Sequence, residues 1–542
     1  MKRRMLVLLA VLGVMIMALP TVSARHKNKD NVTKILYVPH DNRPVSNQQT
    51  ADAVRKLGYE VIVPPDSLLG NRQDLGHPDE LWTWLQEHAE DADAAVVSSD
   101  SMIYGSLVGS RKHEYSREQI AERINNFPKL HKEFPKLPVY VFGSIMRTPR
   151  SGEASGHEEP DYYRSYGSDI FRYTVLKDKE EVEGLSAREK KEAAFLEVLI
   201  PQKDLQDWLG RRDKNYEANE QLIRLTRENQ FAYLALGRDD NAPYSQTHKE
   251  SRHLAEAGQD LGKTKFQAMA GIDEIGMLLL TRAVNTLHSD IPFVYVRYNW
   301  GRGEYTVPAY SDERISDSIS SAVTASGGML VKSPVRADLV LAVNTNPNGQ
   351  TYEADARAND GTPREGTSYF VDIVQEYVDN GYPVGIADIA YANGSDNALM
   401  EELKKRDLLF KIRAYAGWNT PTNSSGFAIG LGMLTKYMKQ DDVKDLLLTR
   451  YLDDWAYQAN VRNTIARQLS WLRGDGFYGS LDAKREAVGE RACRMMTRFA
   501  AQNLPPFKNL EEINVTFPWN RMFEADITHQ EQQEIHFFSK KN

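Results

Sequence analysis

Two adjacent aspartates stand at the end of a strongly apolar stretch. Residues 231–236 (FAYLAL) predict a buried strand, and Arg238, Asp239 and Asp240 follow it in immediate succession. Neighbouring carboxylates repel each other, and burying either one costs free energy unless a partner or a chemical task offsets it. That repulsion drives the two pKa values apart, so that one carboxyl stays protonated near neutral pH. One protonated and one ionised carboxyl are the groups that glycoside hydrolysis needs.

Polar side chains follow most of the other predicted strands, always at the carboxyl end. In parallel α/β folds the carboxyl ends of the strands form the ligand-binding crevice. We therefore expect one shared site rather than a series of separate helix caps. The candidate catalytic residues are Asp239, Asp240, Asp273 and Glu274. The candidate substrate-binding residues are Asp41, Arg43, Asp100, Arg147, Tyr244, Asp388, Asn393, Asp396, Tyr415, Trp418, Asn419 and Asn423.

The chemistry that suits these residues is acid–base hydrolysis. An Asp-Asp pair at a strand end resembles the hexosaminidases that use the acetamido group of their own substrate as nucleophile. That resemblance implies that one residue of the pair Asp239–Asp240 orients the acetamido group and that the other is the general acid, without deciding which is which. Asp273 and Glu274 are the second choice for the catalytic carboxylates. Trp418 is expected to stack on a sugar face. The sequence thus predicts a glycoside hydrolase acting on an amino-sugar-containing glycan, with no cofactor.

Two other functions remain open for the same cleft. A hydrolase that uses Mg²⁺, Mn²⁺ or Ca²⁺ is the first alternative, because hard cations bind several carboxylate and amide oxygens. Asp41, Asp100, Asp239, Asp240 and Asp273 could supply those oxygens. A non-catalytic glycan-binding protein is the second. His248 and His253 are five residues apart and lie on different faces of a helix, which disfavours a zinc site.

The first residues predict export. Lys2, Arg3 and Arg4 form a basic start, residues 5–19 are apolar, and Ala24 ends a run of small residues suited to cleavage. This order is typical of a secretory signal peptide (1–24) with cleavage near Ala24, and the apolar run is short for a membrane span. Cys493 is the only cysteine, so no intrachain disulfide can form. We expect a periplasmic or secreted protein with no membrane span once the leader is removed.

The charge balance bears on the partners. The formal net charge is −8 and the isoelectric point about 5.9, with no basic block after the leader. Nucleic acid is therefore an unsuitable partner, and we expect a glycan or another small polar substrate. The sequence does not specify the oligomeric state.

Apolar strands alternate with helical patterns from about residue 34. This alternation predicts an α/β fold of parallel β-α units, either barrel-like or doubly wound. A first α/β domain spans 34–285 with a helical insertion at 178–228, and a second spans 291–435. The segments of the second follow the order of the first, which indicates a duplication. Residues 437–542 form a helical C-terminal region with a short β tail.

Seven motifs occur in a fixed order along the chain: VPHDNRPVS, VSSDSMIYGSLVGSR, SIMRTP, GRDDNAPYS, GIDEIGMLLLTRAV, ADIAYANGSD and YAGWNTPTNSSG. Together they resemble one secreted bacterial family, catalogued as domain of unknown function 4127. The resemblance covers about 34–435 and implies no established activity. The first motif of that family usually reads Asp-Asp-Arg-Pro, whereas this chain has Asn42 in the second position.

Overall fold

Two large parallel β-sheets organise the chain in its computed structural model. The structure describes residues 32–152, 158–469, 478–505 and 510–531. The predicted signal peptide lies outside the described residues, so export stays a prediction. No helix in these ranges is both long enough and apolar enough to cross a membrane.

The first sheet contains six parallel strands in the order β2-β1-β3-β4-β5-β6. Each strand is short and apolar, and a helix or turn follows it, as parallel connections require. The strands are β1 (Lys34–Val38), β2 (Glu60–Ile62), β3 (Ala94–Ser98), β4 (Val139–Ile145), β5 (Tyr233–Arg238) and β6 (Phe266–Ala270). The helices are α1 (Gln48–Arg55), α2 (Pro78–Ala89), α3 (Ser99–Tyr104), α4 (Leu107–Lys112), α5 (Arg117–Ile124), α6 (Asn126–Glu133), α7 (Tyr163–Val182), α8 (Ala187–Leu199), α9 (Gln202–Arg227), α10 (Gln246–Ala257) and α11 (Ile275–Leu287).

The second sheet repeats the strand order of the first. Its order, β8-β7-β9-β11-β13, matches β2-β1-β3-β4-β5 position by position, and the paired strands are those whose sequences resemble each other. This agreement is what a duplicated unit predicts, although common descent itself stays a prediction. The strands of this half are β7 (Phe293–Tyr298), β8 (Met329–Leu330), β9 (Leu339–Asn344), β10 (Tyr352–Glu353), β11 (Val384–Asp388), β12 (Tyr391–Ala392) and β13 (Ala414–Ala416). The helices are α12 (Ile315–Ala325), α13 (Glu365–Asp379), α14 (Asn397–Lys405) and α15 (Pro421–Leu434).

Both faces of each sheet are covered by apolar side chains. Ile35 and Tyr37 of β1 enter one core, whereas Leu36 and Val38 enter another, because successive strand residues point to opposite faces. The first of these cores also takes residues of β9 and of helices α11 and α15, so both sheets share it. Open sheets with covered faces confirm the doubly wound α/β class, and the barrel-like alternative is wrong.

The C-terminal region is helical, as predicted, and ends in an antiparallel hairpin. Residues Tyr451–Val461 form a π-helix, a rare conformation that often occurs at functional sites. The other elements are α16 (Gln440–Arg450), α17 (Arg462–Gln468), α18 (Arg485–Asn503), β14 (Leu510–Thr516) and β15 (Asp526–Glu531). This region packs with the second sheet in one hydrophobic core, and the described residues from Lys34 onward form one compact unit. The proposed division into domains therefore stays a prediction.

Candidate active site

A cavity with a volume of about 160 Å³ lies at the carboxyl ends of the first sheet. A cavity of this size admits about one six-membered ring. The sequence-predicted residues in its wall are Arg43, Arg147, Asp239, Asp240, Asp273, Asn393 and Asn419. The further residues of the wall are Leu107, Val108, Arg111, Pro149, Arg150, Glu158, Asn241, Tyr310, Thr420, Tyr478, Trp519, Arg521, Phe523 and Glu524.

Arg43 joins the loop after β1 to the loop after β6. Its Nε donates to Asp41 at 2.8 Å, and its Nη2 donates to Asp273 at 2.6 Å. Asn419, from the loop after β13, also donates to Asp273, and His40 Nε2 lies 3.1 Å from the same carboxylate. These positive and polar neighbours outweigh the effect of burial and hold the pKa of Asp273 well below its usual range. Asp273 is therefore an ionised carboxylate at the cavity.

Asp239 and Asp240 lie in the loop after β5 and take separate partners. Asp239 accepts from Arg111, and Asp240 accepts from Arg147 Nη1 at 3.1 Å. Burial, with the charge of Asp240, raises the pKa of Asp239 to about 6. The side chain of Asp240 is 28% exposed, whereas that of Asp239 is 12% exposed. The pair thus presents a buried carboxyl that is partly protonated near neutral pH beside a more accessible one.

The backbone at Asp240 has a positive φ of 37°. Residues other than glycine rarely adopt this conformation, and Asp and Asn tolerate it best. Asn393 and Asn419, which also line the cavity, have φ values of 62° and 76°. The backbone of Asn393 donates to the carbonyl of Asn419 at 2.9 Å, which holds these two loops together. Three residues with a rare backbone conformation therefore lie together at the cavity, and such conformations occur at many functional sites.

Glu158 lies at the centre of three arginines. Its carboxylate accepts from Arg111 Nη1 at 2.6 Å, and it lies 2.8 Å from Arg521 Nη2 and 3.3 Å from Arg147 Nη2. Their combined charge holds the pKa of Glu158 well below its usual range despite burial. Neither Glu158 nor Arg111 was predicted, although Arg111 ends one of the seven motifs. Nothing in the local sequence indicates that they meet.

The loop between β14 and β15 closes one side of the cavity. Trp519 Nε1 donates to Asn42 Oδ1 at 2.8 Å, and the Arg43 guanidinium lies 5.2 Å from the Trp519 ring. Arg521 donates through its Nε to Glu524 at 2.6 Å. An aspartate at position 42 could accept the same hydrogen bond, so Asn42 keeps the contact. No residue of this loop was predicted to lie at the site, and the only signal in the sequence was the density of aromatic and charged residues in FPWNRMFEAD.

Three predicted residues lie behind the cavity wall. Asp41 is fully buried against Arg43. Asp100 accepts from the backbone and hydroxyl of Ser144, at 2.8 and 2.9 Å, and so joins the start of α3 to β4. Glu274 is fully buried, and neither of its carboxyl oxygens has a hydrogen-bond partner among the described residues. Burial raises the pKa of Glu274 well above its usual range, which favours the protonated form of this carboxyl.

A second polar cluster lies at the carboxyl ends of the second sheet. Asp388 accepts from Asn344 at 2.9 Å, from the Tyr415 hydroxyl at 2.8 Å and from the backbone of Asp396 at 2.8 Å. Asp396 in turn pairs with Arg364. All three predicted residues of this cluster are buried and form hydrogen bonds with one another rather than with the cavity. Burial and the charge of Asp396 raise the pKa of Asp388 to about 7.

The remaining predicted residues have supporting positions. Trp418 belongs to the hydrophobic core and packs against Phe523, whose ring lines the cavity. Asn423 accepts from the backbone of Ile272 at 3.1 Å and so supports the loop that carries Asp273. Tyr244 packs against His248 at the start of α10.

The family comparison agrees with the motifs. The sequence model described as protein of unknown function (DUF4127) matches residues 35–528. The chain belongs to this family. No curated protein matches the sequence. The solved structures with similarity include a C2-type ketoreductase from a modular polyketide synthase, at 10% identity and a TM-score of 0.13. That likeness covers 66% of this chain and 91% of the ketoreductase, and at this TM-score it carries no argument about function.

The titratable groups predict how stability depends on pH. Burial raises the pKa of Asp100 and Asp239 to about 6 and that of Asp388 and Asp454 to about 7. An aspartate in the unfolded chain titrates near 3.9, so between about pH 4 and 7 the folded state binds more protons. The melting temperature is therefore expected to rise as the pH is lowered from 8 to about 5. A melting temperature that instead increases steadily from pH 5 to 8 would contradict this prediction.

Below about pH 4 the melting temperature is expected to fall as the pH is lowered further. Asp273 and Glu158 have lowered pKa values in the folded state, so their contribution is present above the unfolded pKa and is lost on acidification. Asp100→Asn is a suitable variant for the upper range, because an amide can bond to both groups of Ser144 without titrating. This variant is expected to reduce the change of melting temperature with pH between pH 5 and 7. The loss of stability below about pH 4 is expected to stay the same.

Proposed function

We propose that this protein is an exported hydrolase that cleaves glycosidic bonds in an amino-sugar-containing glycan by carboxylate acid–base catalysis. The observation that carries the proposal is the pair Asp239–Asp240, which faces the cavity beside an ionised Asp273. One of these carboxyls holds a proton near pH 6 while another is ionised, and glycoside hydrolysis needs both states at once.

The roles follow from burial and charge. Asp239 has the raised pKa and donates the proton to the leaving oxygen. Asp240 is more exposed and is held by Arg147, so it orients the substrate next to the proton donor. Asp273 stays ionised and stabilises positive charge that develops on the sugar ring.

Aromatic and amide side chains in the wall suit a sugar ring. Tyr310, Tyr478, Trp519 and Phe523 all line the cavity, and aromatic faces pack well against the apolar face of a sugar. Asn393 adds an amide that can bond to hydroxyl or acetamido groups. These residues support the choice of a glycan over another hydrolysable substrate.

The proposal is tested with nitrophenyl glycosides of N-acetylglucosamine, N-acetylgalactosamine and their neutral parent sugars, with and without EDTA. Hydrolysis of an amino-sugar glycoside that survives EDTA is the expected result. Loss with EDTA and recovery with Mn²⁺ or Mg²⁺ would assign a metal-dependent hydrolase instead. Binding without turnover across the panel would assign a glycan-binding protein. Among the described residues, no cluster of three or more His, Cys, Asp or Glu side chains has the arrangement of a metal site.

Asp240→Asn is expected to lower turnover without changing the fold. Asn keeps the shape of Asp and tolerates the positive φ at this position, while it removes the charge that faces Arg147. Asp407→Asn is the control, since Asp407 also has a positive φ, 55°, and an exposed side chain. Full activity of Asp240→Asn at an unchanged melting temperature would remove Asp240 from the mechanism.

A further inference from the structure

Three buried arginines from distant parts of the chain share one carboxylate. Arg111 belongs to α4, Arg147 follows β4 and Arg521 comes from the loop between β14 and β15, yet all three contact Glu158. Arginine recognises carboxylates through charge-assisted hydrogen bonds, which are the strongest that side chains make. The arrangement is thus a carboxylate-binding site, and a side chain of the protein occupies it.

Each arginine has a second acidic partner of its own. Arg111 also pairs with Asp239, and Arg521 also pairs with Glu524. Arg147 Nε donates to Glu159 at 2.8 Å. If the Glu158 carboxylate were removed, each of the three arginines would therefore still have an ion-pair partner. If another carboxylate replaced it, the total charge of the cavity would not change.

Two donors of the three arginines, Arg111 Nε and Arg521 Nη1, have no hydrogen-bond partner among the described residues. Arg521 is 2% exposed and lines the cavity. A buried donor without a partner costs free energy that a ligand oxygen can recover. Glu158 alone therefore does not use all the hydrogen-bonding capacity of this site.

We propose that Arg111, Arg147 and Arg521 form a subsite for a carboxylate of the substrate, and that Glu158 occupies this subsite when no substrate is bound. Arg111 contacts both Glu158 and Asp239, and Arg147 contacts both Glu158 and Asp240. The bound carboxylate therefore lies one guanidinium group away from the acidic pair. The identification of the substrate as a sugar rests on the proposed function. On that basis, the substrate is a sugar that carries a carboxylate near the scissile bond.

The test compares two sugars that differ in one acidic group. N-acetylmuramic acid is N-acetylglucosamine with a lactyl carboxylate, and calorimetry measures the affinity of each for the full chain. Glu158→Gln removes the competing charge, so it is expected to bind N-acetylmuramic acid about tenfold or more tightly than the unmodified protein does. Affinity for N-acetylglucosamine is expected to stay the same. Glu217→Gln, an exposed carboxylate paired with Arg117, is the control and is expected to change neither affinity.

A second variant tests the arginines themselves. Arg521→Lys keeps the positive charge beside Glu524 but loses the planar group, so it is expected to lower the affinity for N-acetylmuramic acid about tenfold. Equal binding of the two sugars, or no effect of Glu158→Gln, would overturn the proposal. Inorganic sulfate that competes as strongly as N-acetylmuramic acid would overturn the assignment to a carboxylate.

The two proposals fail in different ways. Hydrolysis of neutral amino-sugar glycosides with no preference for acidic ones would remove the carboxylate subsite and leave the proposed function intact. Binding of N-acetylmuramic acid through Arg521, without hydrolysis of any glycoside, would leave the subsite intact and remove the proposed function.

Discussion

Asp239→Asn is expected to lower the turnover of an amino-sugar glycoside by about 10²–10⁴-fold, the usual contribution of a positioned proton donor. The amide cannot donate a proton to the leaving oxygen, although it fills the same space. Because burial and Asp240 raise the pKa of Asp239 to about 6, kcat/KM of the unmodified protein is expected to fall above pH 6. That loss of activity on the alkaline side should be absent from the variant.

The leaving group distinguishes proton donation from a structural effect. A dinitrophenyl group leaves without protonation, so Asp239→Asn is expected to affect its release much less than release of a poorer leaving group such as methyl alcohol. Arg111 keeps Glu158 as a partner in the variant, so the melting temperature should change little. An equal loss with every leaving group would show that Asp239 is not the proton donor.

Arg43→Met is expected to destabilise the protein by about 3–5 kcal/mol, the usual effect of removing one partner from a buried ion pair. Arg43 is the shared partner of two buried carboxylates, Asp41 and Asp273. Methionine fills most of the volume but leaves both charges with less compensation in a site that water barely reaches. Chemical denaturation of the variant and of the unmodified protein measures the difference.

Arg117→Met is the control for this substitution. Arg117 also pairs with a carboxylate, that of Glu217, but both side chains are about half exposed, so water replaces the lost partner. No measurable change in stability is expected for it. If Arg43→Met also left the free energy of unfolding unchanged, other groups would compensate the charges of Asp41 and Asp273. The groups nearest to Asp273 are His40 and Asn419.

The strands and their order illustrate what local patterns can predict. Short apolar runs such as β1 and β9 are recognisable because both faces of a parallel sheet are buried. The correspondence between the two halves was also readable, since similar segments recur in the same order, and paired segments occupy equivalent positions in the two sheets. The sequence could not distinguish a barrel from an open sheet, because both folds use the same β-α units.

The sequence predicted residues of the site only where those residues come directly after a strand. Asp239, Asp240 and Asp273 come directly after strands of one parallel sheet, so the rule about carboxyl ends brings them to one cavity. The same rule grouped them with Asp388, Asp396 and Tyr415. Those side chains are also at strand ends, but of the other sheet, and they form hydrogen bonds with one another. A strand end gives the edge on which a residue lies, but not the neighbour that it contacts.

By itself, the amino-acid sequence determined the α/β class, the family and the acidic pair at the end of β5, because each of these is encoded in residues close together in the chain. Only the tertiary structure decided that Arg111, Glu158 and Arg521 meet around one carboxylate. Arg111 and Glu158 are 47 residues apart, and Arg521 is more than 300 residues further along the chain. Each one alone resembles an ordinary surface charge. Their role depends on burial beside one another, which arises only when the two sheets and the C-terminal hairpin pack together.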